Sequence, residues 1–92
     1  MIVTAVCEFH LPAVHSLKEK RAVLQSMKRK VRQRFNVAIA EMEHQELWQR
    51  SVIEIVTVST QFDVAEQILD QAIALLEQHE AWELIRVEKM EV

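Results

Sequence analysis

The chain has 92 residues, a length that accommodates one small domain over residues 1–92. Apolar residues make up 50% and charged residues 27%, close to the globular averages of about 45–50% and 25%, which predicts a folded core and excludes disorder. With no glycine and one cysteine, the chain lacks glycine-rich phosphate loops, nucleophile elbows, disulfide frameworks and multi-cysteine metal sites. These exclusions favour a binding protein over an enzyme and predict no cofactor, metal or catalytic residue.

The N-terminal segment, residues 1–8, lacks the basic region and the small-residue cleavage site of a signal peptide. No run approaches the roughly 18 apolar residues that a membrane-spanning helix needs. The unpaired Cys7 within an apolar stretch fits a reducing compartment. We therefore predict a cytoplasmic protein with no membrane contact.

The first half of the chain predicts a strand followed by a helix. Residues 2–11 alternate with period two, and Pro12 ends the strand because it has no N–H to donate. Ser16 and Glu19 carry the capping-box pattern, so a helix is expected to begin at Ser16. Asn36 is expected to end it. Its apolar stripe consists of Leu17, Leu24, Met27, Val31 and Phe35.

The second half predicts two strands, a helix and a last strand. Residues 37–43 and 52–59 are rich in strand-forming types and are joined by the loop 44–50. Thr60 is expected to cap a helix that fades near His79. Residues 82–92 mix apolar and charged side chains, as an edge strand does.

This order, β-α-β-β-α-β, predicts an α+β, ferredoxin-like fold: a four-stranded antiparallel sheet with two helices on one face. The topology brings His15, His44 and His79 to one edge of the sheet, where two of them and a nearby glutamate could form a metal triad, although their spacing is generic. The third strand carries apolar residues on both faces. One hypothesis is therefore a homodimer whose second subunit covers the open sheet face.

Charge is divided unevenly between the two parts of the chain. Residues 1–34 hold 8 Lys and Arg against 2 acids, while residues 35–92 hold 3 against 12. The basic helix, residues 16–34, contains nearly all of the positive charge. Its cations either form a solvated face paired with neighbouring acids or bind phosphates. They are Lys18, Lys20, Arg21, Lys28, Arg29, Lys30, Arg32 and Arg34.

Three of these cations, Lys18, Lys20 and Arg21, occupy the first turns of the helix, where the helix dipole disfavours positive charge. Lys20 additionally falls on the apolar stripe. An anion is therefore expected to meet it, and the candidates are Glu43, Glu46 and an external ligand.

Trp48 and Arg50 lie in the loop between the second and third strands. The Trp48 ring could stack on a nucleic-acid base, or it could close one end of the core. Cys7 is predicted to be a core residue rather than a nucleophile.

Three segments, His15–Arg21, Phe35–Val37 and His44–Arg50, resemble the YlxP-like family of small bacterial proteins of unknown function. The resemblance spans essentially the whole chain. It implies a ferredoxin-like domain whose genes often neighbour those of translation initiation and ribosome maturation factors, and hence a role on RNA or the ribosome. It supplies no activity and no catalytic residue.

The leading hypothesis is a non-enzymatic module that binds RNA, or the ribosome, through the basic helix and the adjacent loop. One alternative is a small-anion-binding protein or enzyme at the helix N-terminus. The other is a homo-oligomeric interaction module. The candidate binding residues are His15, Lys18, Lys20, Arg21, Lys28, Arg29, Arg32, Arg34, His44, Trp48 and Arg50.

Overall fold

A computed structural model describes residues 1–92 and confirms the predicted order of elements. The strands pair antiparallel in the order β2-β3-β1-β4, which is the ferredoxin-like arrangement. The elements are β1 (Ile2–His10), α1 (Leu17–Arg34), β2 (Ala38–Glu43), β3 (Arg50–Val58), α2 (Phe62–Glu77) and β4 (Glu83–Glu91).

The core lies between the sheet and the two helices. Alternate residues of β1, from Val3 to Phe9, are fully buried there, and Cys7 is among them as predicted. The Phe9 ring stacks on Trp82 with centroids 4.2 Å apart. The Trp82 indole N–H donates to the Leu76 carbonyl at 2.6 Å, so this large ring enters the core with its polar atom satisfied.

The helix boundaries follow from local hydrogen bonds. The Ser16 hydroxyl accepts from the Glu19 N–H at 3.1 Å, which confirms Ser16 as the N-cap of α1. This helix ends at Arg34, and its C-cap is Phe35, one residue before the expected Asn36. The prediction that Thr60 caps α2 is wrong, since the cap is Gln61.

The opposite face of the sheet carries no helix. At one end it exposes Ile2, Val58 and Met90, and at the other it carries charged side chains. A second copy of the chain on this face stays a prediction, which sedimentation at high concentration tests. Neither helix combines the length and the apolarity that a membrane crossing requires.

Candidate nucleic-acid interface

Lys20, which the sequence places on the apolar stripe of α1, is 1% exposed. Its ammonium lies 2.7 Å from a Glu41 carboxylate oxygen and donates to the carbonyls of His44 at 2.5 Å and Leu47 at 2.6 Å. An ammonium has three N–H donors, and three acceptors surround it here. The expected anion is therefore Glu41, rather than Glu43, Glu46 or an external ligand.

These bonds tether the β2–β3 loop, residues 44–49, to α1. His44 adopts a left-handed backbone with φ 64°, and its carbonyl also accepts from the Leu47 N–H at 3.0 Å. At the far end of the loop, the Gln49 amide donates to the Pro12 and Val14 carbonyls. The loop is thus held at both ends by hydrogen bonds to other parts of the chain.

The tethered loop presents Trp48 to solvent. This side chain is 49% exposed and the preceding Leu47 is 45% exposed. The prediction that Trp48 closes the core is wrong, because Trp82 occupies that position with 4% exposure. The Trp48 cleft, a concavity of about 410 Å³, lies beside the ring and is lined by His10, Glu46, Leu47, Trp48, Gln49 and Arg50.

Two of the three ionisable groups of the Trp48 cleft, Arg50 and His10, have partners on the open face. The Arg50 guanidinium forms an ion pair with Glu8, and this hydrogen bond is the main reason that the pKa of the Glu8 carboxyl lies below its ordinary value. The His10 Nδ1 lies 3.0 Å from a Glu83 carboxylate oxygen. Only Glu46 contributes a charge to the cleft without an ion pair.

The remaining cations of α1 have no carboxylate partner. Lys20 is the one α1 cation that has a carboxylate oxygen within 4.0 Å, so only one of the predicted pairs with neighbouring acids is formed. Arg32 instead donates to the Ile39 carbonyl at 3.3 Å. The seven unpaired side chains are Lys18, Arg21, Lys28, Arg29, Lys30, Arg32 and Arg34.

Five of the seven share one side of α1. At about 100° per residue they fall within an arc of about 100°, whose centre lies about 120° from that of the buried stripe, and they span about 21 Å along the axis. A shallow groove of about 470 Å³ among them also includes Gln25 and Gln33. We call this set the basic face; it consists of Lys18, Arg21, Lys28, Arg29 and Arg32.

Lys30 and Arg34 lie on the side of α1 that faces α2. Lys30 borders a concavity with Leu75 and His79, and Arg34 borders another with Ala74. These two cations therefore add to the field of the helix without belonging to the basic face.

The predicted histidines do not form a site of their own. The His15 backbone N–H donates to Glu19, while the His79 Nδ1 accepts from the Ala81 N–H at 3.0 Å. No group of three His, Cys, Asp or Glu side chains is placed to hold a metal ion. The anion-site alternative at the helix N-terminus also loses its central cation, because the Lys20 ammonium is fully engaged.

Sequence reasoning missed His10, Glu46 and Leu47 as cleft residues. The signal that could have found His10 is strand register: it pairs with Arg50 across β1 and β3, and side chains of directly paired residues lie on the same face of a sheet. Leu47 and Glu46 are adjacent to Trp48 in a loop whose conformation no local pattern specifies.

A family model described as "Protein of unknown function (DUF503)" matches residues 2–89. The "Uncharacterized protein YlxP" of Bacillus subtilis (strain 168) is 39% identical over 77 residues, which are 84% of this chain and 84% of that protein. The de novo designed protein Foldit4 has a TM-score of 0.60 at 10% identity, covering 99% of this chain and 97% of that one. SnoaB, a cofactor-independent oxygenase from Streptomyces nogalater, has a TM-score of 0.60 at 14% identity, covering 99% and 92%. At these identities the two structures share the fold alone.

Proposed function

Because the chain belongs to the DUF503 family, which is described as of unknown function, we propose a function from its own surface: it binds RNA through phosphate contacts along α1. The family match and the 39% identical relative confirm the resemblance to YlxP-like proteins that the motifs indicate. No catalytic step is part of this proposal.

The observation that carries the proposal is the basic face, whose five cations no carboxylate neutralises. The chain as a whole has a formal net charge of −3, so general basicity does not account for them. Clustered Lys and Arg along one helix side are the usual electrostatic footprint of nucleic-acid binding. Phosphates would replace the counterions that otherwise accompany these side chains.

The length of the basic face suits a run of several phosphates. Lys18 and Arg32 lie about 21 Å apart along the helix axis, and Arg21, Lys28 and Arg29 lie between them. Contacts of this kind position RNA without reading its sequence. Ribosomal RNA is the first candidate, because the family resemblance implies a role close to translation.

The experiment compares two doubly substituted variants that remove equal charge from the same helix. Arg21→Gln/Arg29→Gln alters the basic face, and Lys30→Gln/Arg34→Gln is the matched control. Binding to 30S and 50S subunits, to ribosomal RNA and to a defined RNA duplex is measured across a salt series. Circular dichroism first verifies that both variants are folded.

The expected result is a log–log salt slope that falls by about two in the basic-face variant, or about one for each lost phosphate contact. The control should retain most of the wild-type slope. Absence of binding at low salt, or binding that salt does not weaken, would overturn the proposal. Equal losses in both variants would reduce it to an effect of net charge.

A further inference from the structure

We propose that the Trp48 cleft holds one unstacked base of a single-stranded RNA whose backbone lies on the basic face. This inference rests on the proposed function and deepens it, since it specifies the strandedness of the RNA. The site is the concavity of about 410 Å³ between Trp48, Leu47 and the paired side chains His10 and Arg50.

The first observation is that Trp48 is exposed on a loop that hydrogen bonds hold to other parts of the chain. The loop that carries it is fixed by Lys20 on one side and by Gln49 on the other. A large ring that is 49% exposed contributes little to the core, and hydrogen bonds that hold its loop in place lower the entropy lost on binding. Tryptophans are typical anchors of binding surfaces.

The second observation is the charge of the cleft, which favours a neutral base over a phosphate. Arg50 is engaged by Glu8 and His10 lies against Glu83, so neither offers a free cation. The Glu46 carboxylate would repel a phosphate, whereas it can accept hydrogen bonds from base N–H groups. The ring faces of Trp48 supply the stacking surface that bases use.

The third observation is that the loop carrying Trp48 is bonded to the first turn of the basic helix. Lys20 stands between Lys18 and Arg21 in α1, and its ammonium bonds the Leu47 carbonyl, directly before Trp48 in the chain. The first turn of the basic helix and the β2–β3 loop are therefore joined by direct hydrogen bonds. In the proposal, the RNA strand passes from the N-terminal end of the basic face around this end of the sheet to the cleft.

Strandedness follows from this geometry. A duplex keeps its bases stacked and paired inside, where a surface tryptophan cannot reach them, whereas single-stranded loops and ends present unstacked bases. The proposal therefore assigns phosphate contacts to α1 for either form of RNA and assigns the Trp48 cleft to single strands alone.

The experiment measures Trp48→Ala and Trp48→Phe against wild type at one fixed salt concentration. The probes are a single-stranded oligonucleotide, a duplex of the same sequence, and a free nucleoside monophosphate. We expect Trp48→Ala to weaken single-strand binding about tenfold or more while duplex binding changes less than twofold. Trp48→Phe should restore most of the single-strand affinity, because it keeps an aromatic face, and the salt slope should not change.

The outcomes separate the two proposals. If Arg21→Gln/Arg29→Gln weakens both RNA forms while Trp48→Ala weakens neither or both equally, the base site is overturned and the phosphate surface stands. If wild type binds no RNA, both fail. Tight binding of the free nucleotide would overturn the assignment to a strand. Sedimentation showing that Trp48→Ala dissociates a dimer would assign the ring to a protein interface instead.

Discussion

The Lys20 ammonium and the Glu41 carboxylate form an ion pair at 2.7 Å in which the lysine is 1% and the glutamate 14% exposed. The same carboxylate oxygen accepts from the Ser51 hydroxyl at 2.7 Å. The pair joins α1 to the edge strand β2, while the other two ammonium donors hold His44 and Leu47. One side chain of the basic helix thus fixes the loop that displays Trp48.

Replacing Lys20 by methionine should leave the largely buried Glu41 carboxylate, which is 14% exposed, without its counter-charge. Loss of one partner of a buried pair destabilises a protein by about 3–5 kcal/mol, and we expect the free energy of unfolding in urea to fall by that amount. Lys18→Met, two positions away on the exposed surface, is the control and should change it by less than about 0.5 kcal/mol. A loss below about 1 kcal/mol for Lys20→Met would contradict a structural role.

Replacing His44 by glycine should stabilise the folded protein. Its φ of 64° lies in the left-handed region, which costs a residue with a Cβ about 1–2 kcal/mol, whereas glycine adopts it freely at some entropic cost in the unfolded chain. We expect His44→Gly to raise the free energy of unfolding by about 0.5–1 kcal/mol and His44→Val to lower it. Urea titrations of the three proteins test this, and the reverse order would show that the side chain of His44 stabilises the loop.

Much of the fold could be predicted because local sequence patterns determine its elements. The alternation in β1 depends on residues two positions apart, and the stripe of Leu24, Met27 and Val31 depends on residues three and four positions apart. The Ser16 cap involves a residue three positions away. Such features are determined by short stretches of chain, and the structure confirms them.

The site could be predicted only in part, because its contacts join distant segments. Lys20 on an apolar stripe signalled a buried counter-ion, but its identity depends on the register that places Glu41 under α1. The sequence alone does not distinguish the buried Trp82 from the exposed Trp48, because both are the same residue type. Which one is buried depends on whether Phe9 stacks on it, and that follows from how β4 pairs with β1.

The ion pair beside the Trp48 cleft has a measurable acid signature. The hydrogen bond from Arg50 is the largest cause that lowers the pKa of the Glu8 carboxyl below its ordinary 4.5. A lowered pKa in the folded state contributes stability above the ordinary pKa, and this contribution is lost as the pH falls. In Arg50→Gln, the Glu8 pKa followed by NMR should therefore move up towards 4.5. Lys89→Gln, which breaks contacts to Glu66 and Asp70 instead, should leave it in place.

Cys7 provides a test at alkaline pH. Burial, and secondarily the charge of Glu77, raises the pKa of its thiol from 9.0 to about 12. A raised pKa contributes stability that is complete below pH 9 and is lost as the pH rises towards 12, at up to about 1.4 kcal/mol per pH unit. The difference in unfolding free energy between wild type and Cys7→Ala should therefore shrink over that range. The titration of the lysines is common to both proteins and cancels in this difference.

The reactivity of Cys7 gives a second test. At pH 8 the folded protein should resist a thiol-specific disulfide reagent that modifies the urea-unfolded chain at once, since the reactive species is the thiolate. Equal rates in the two states would show that β1 opens and exposes the sulfur.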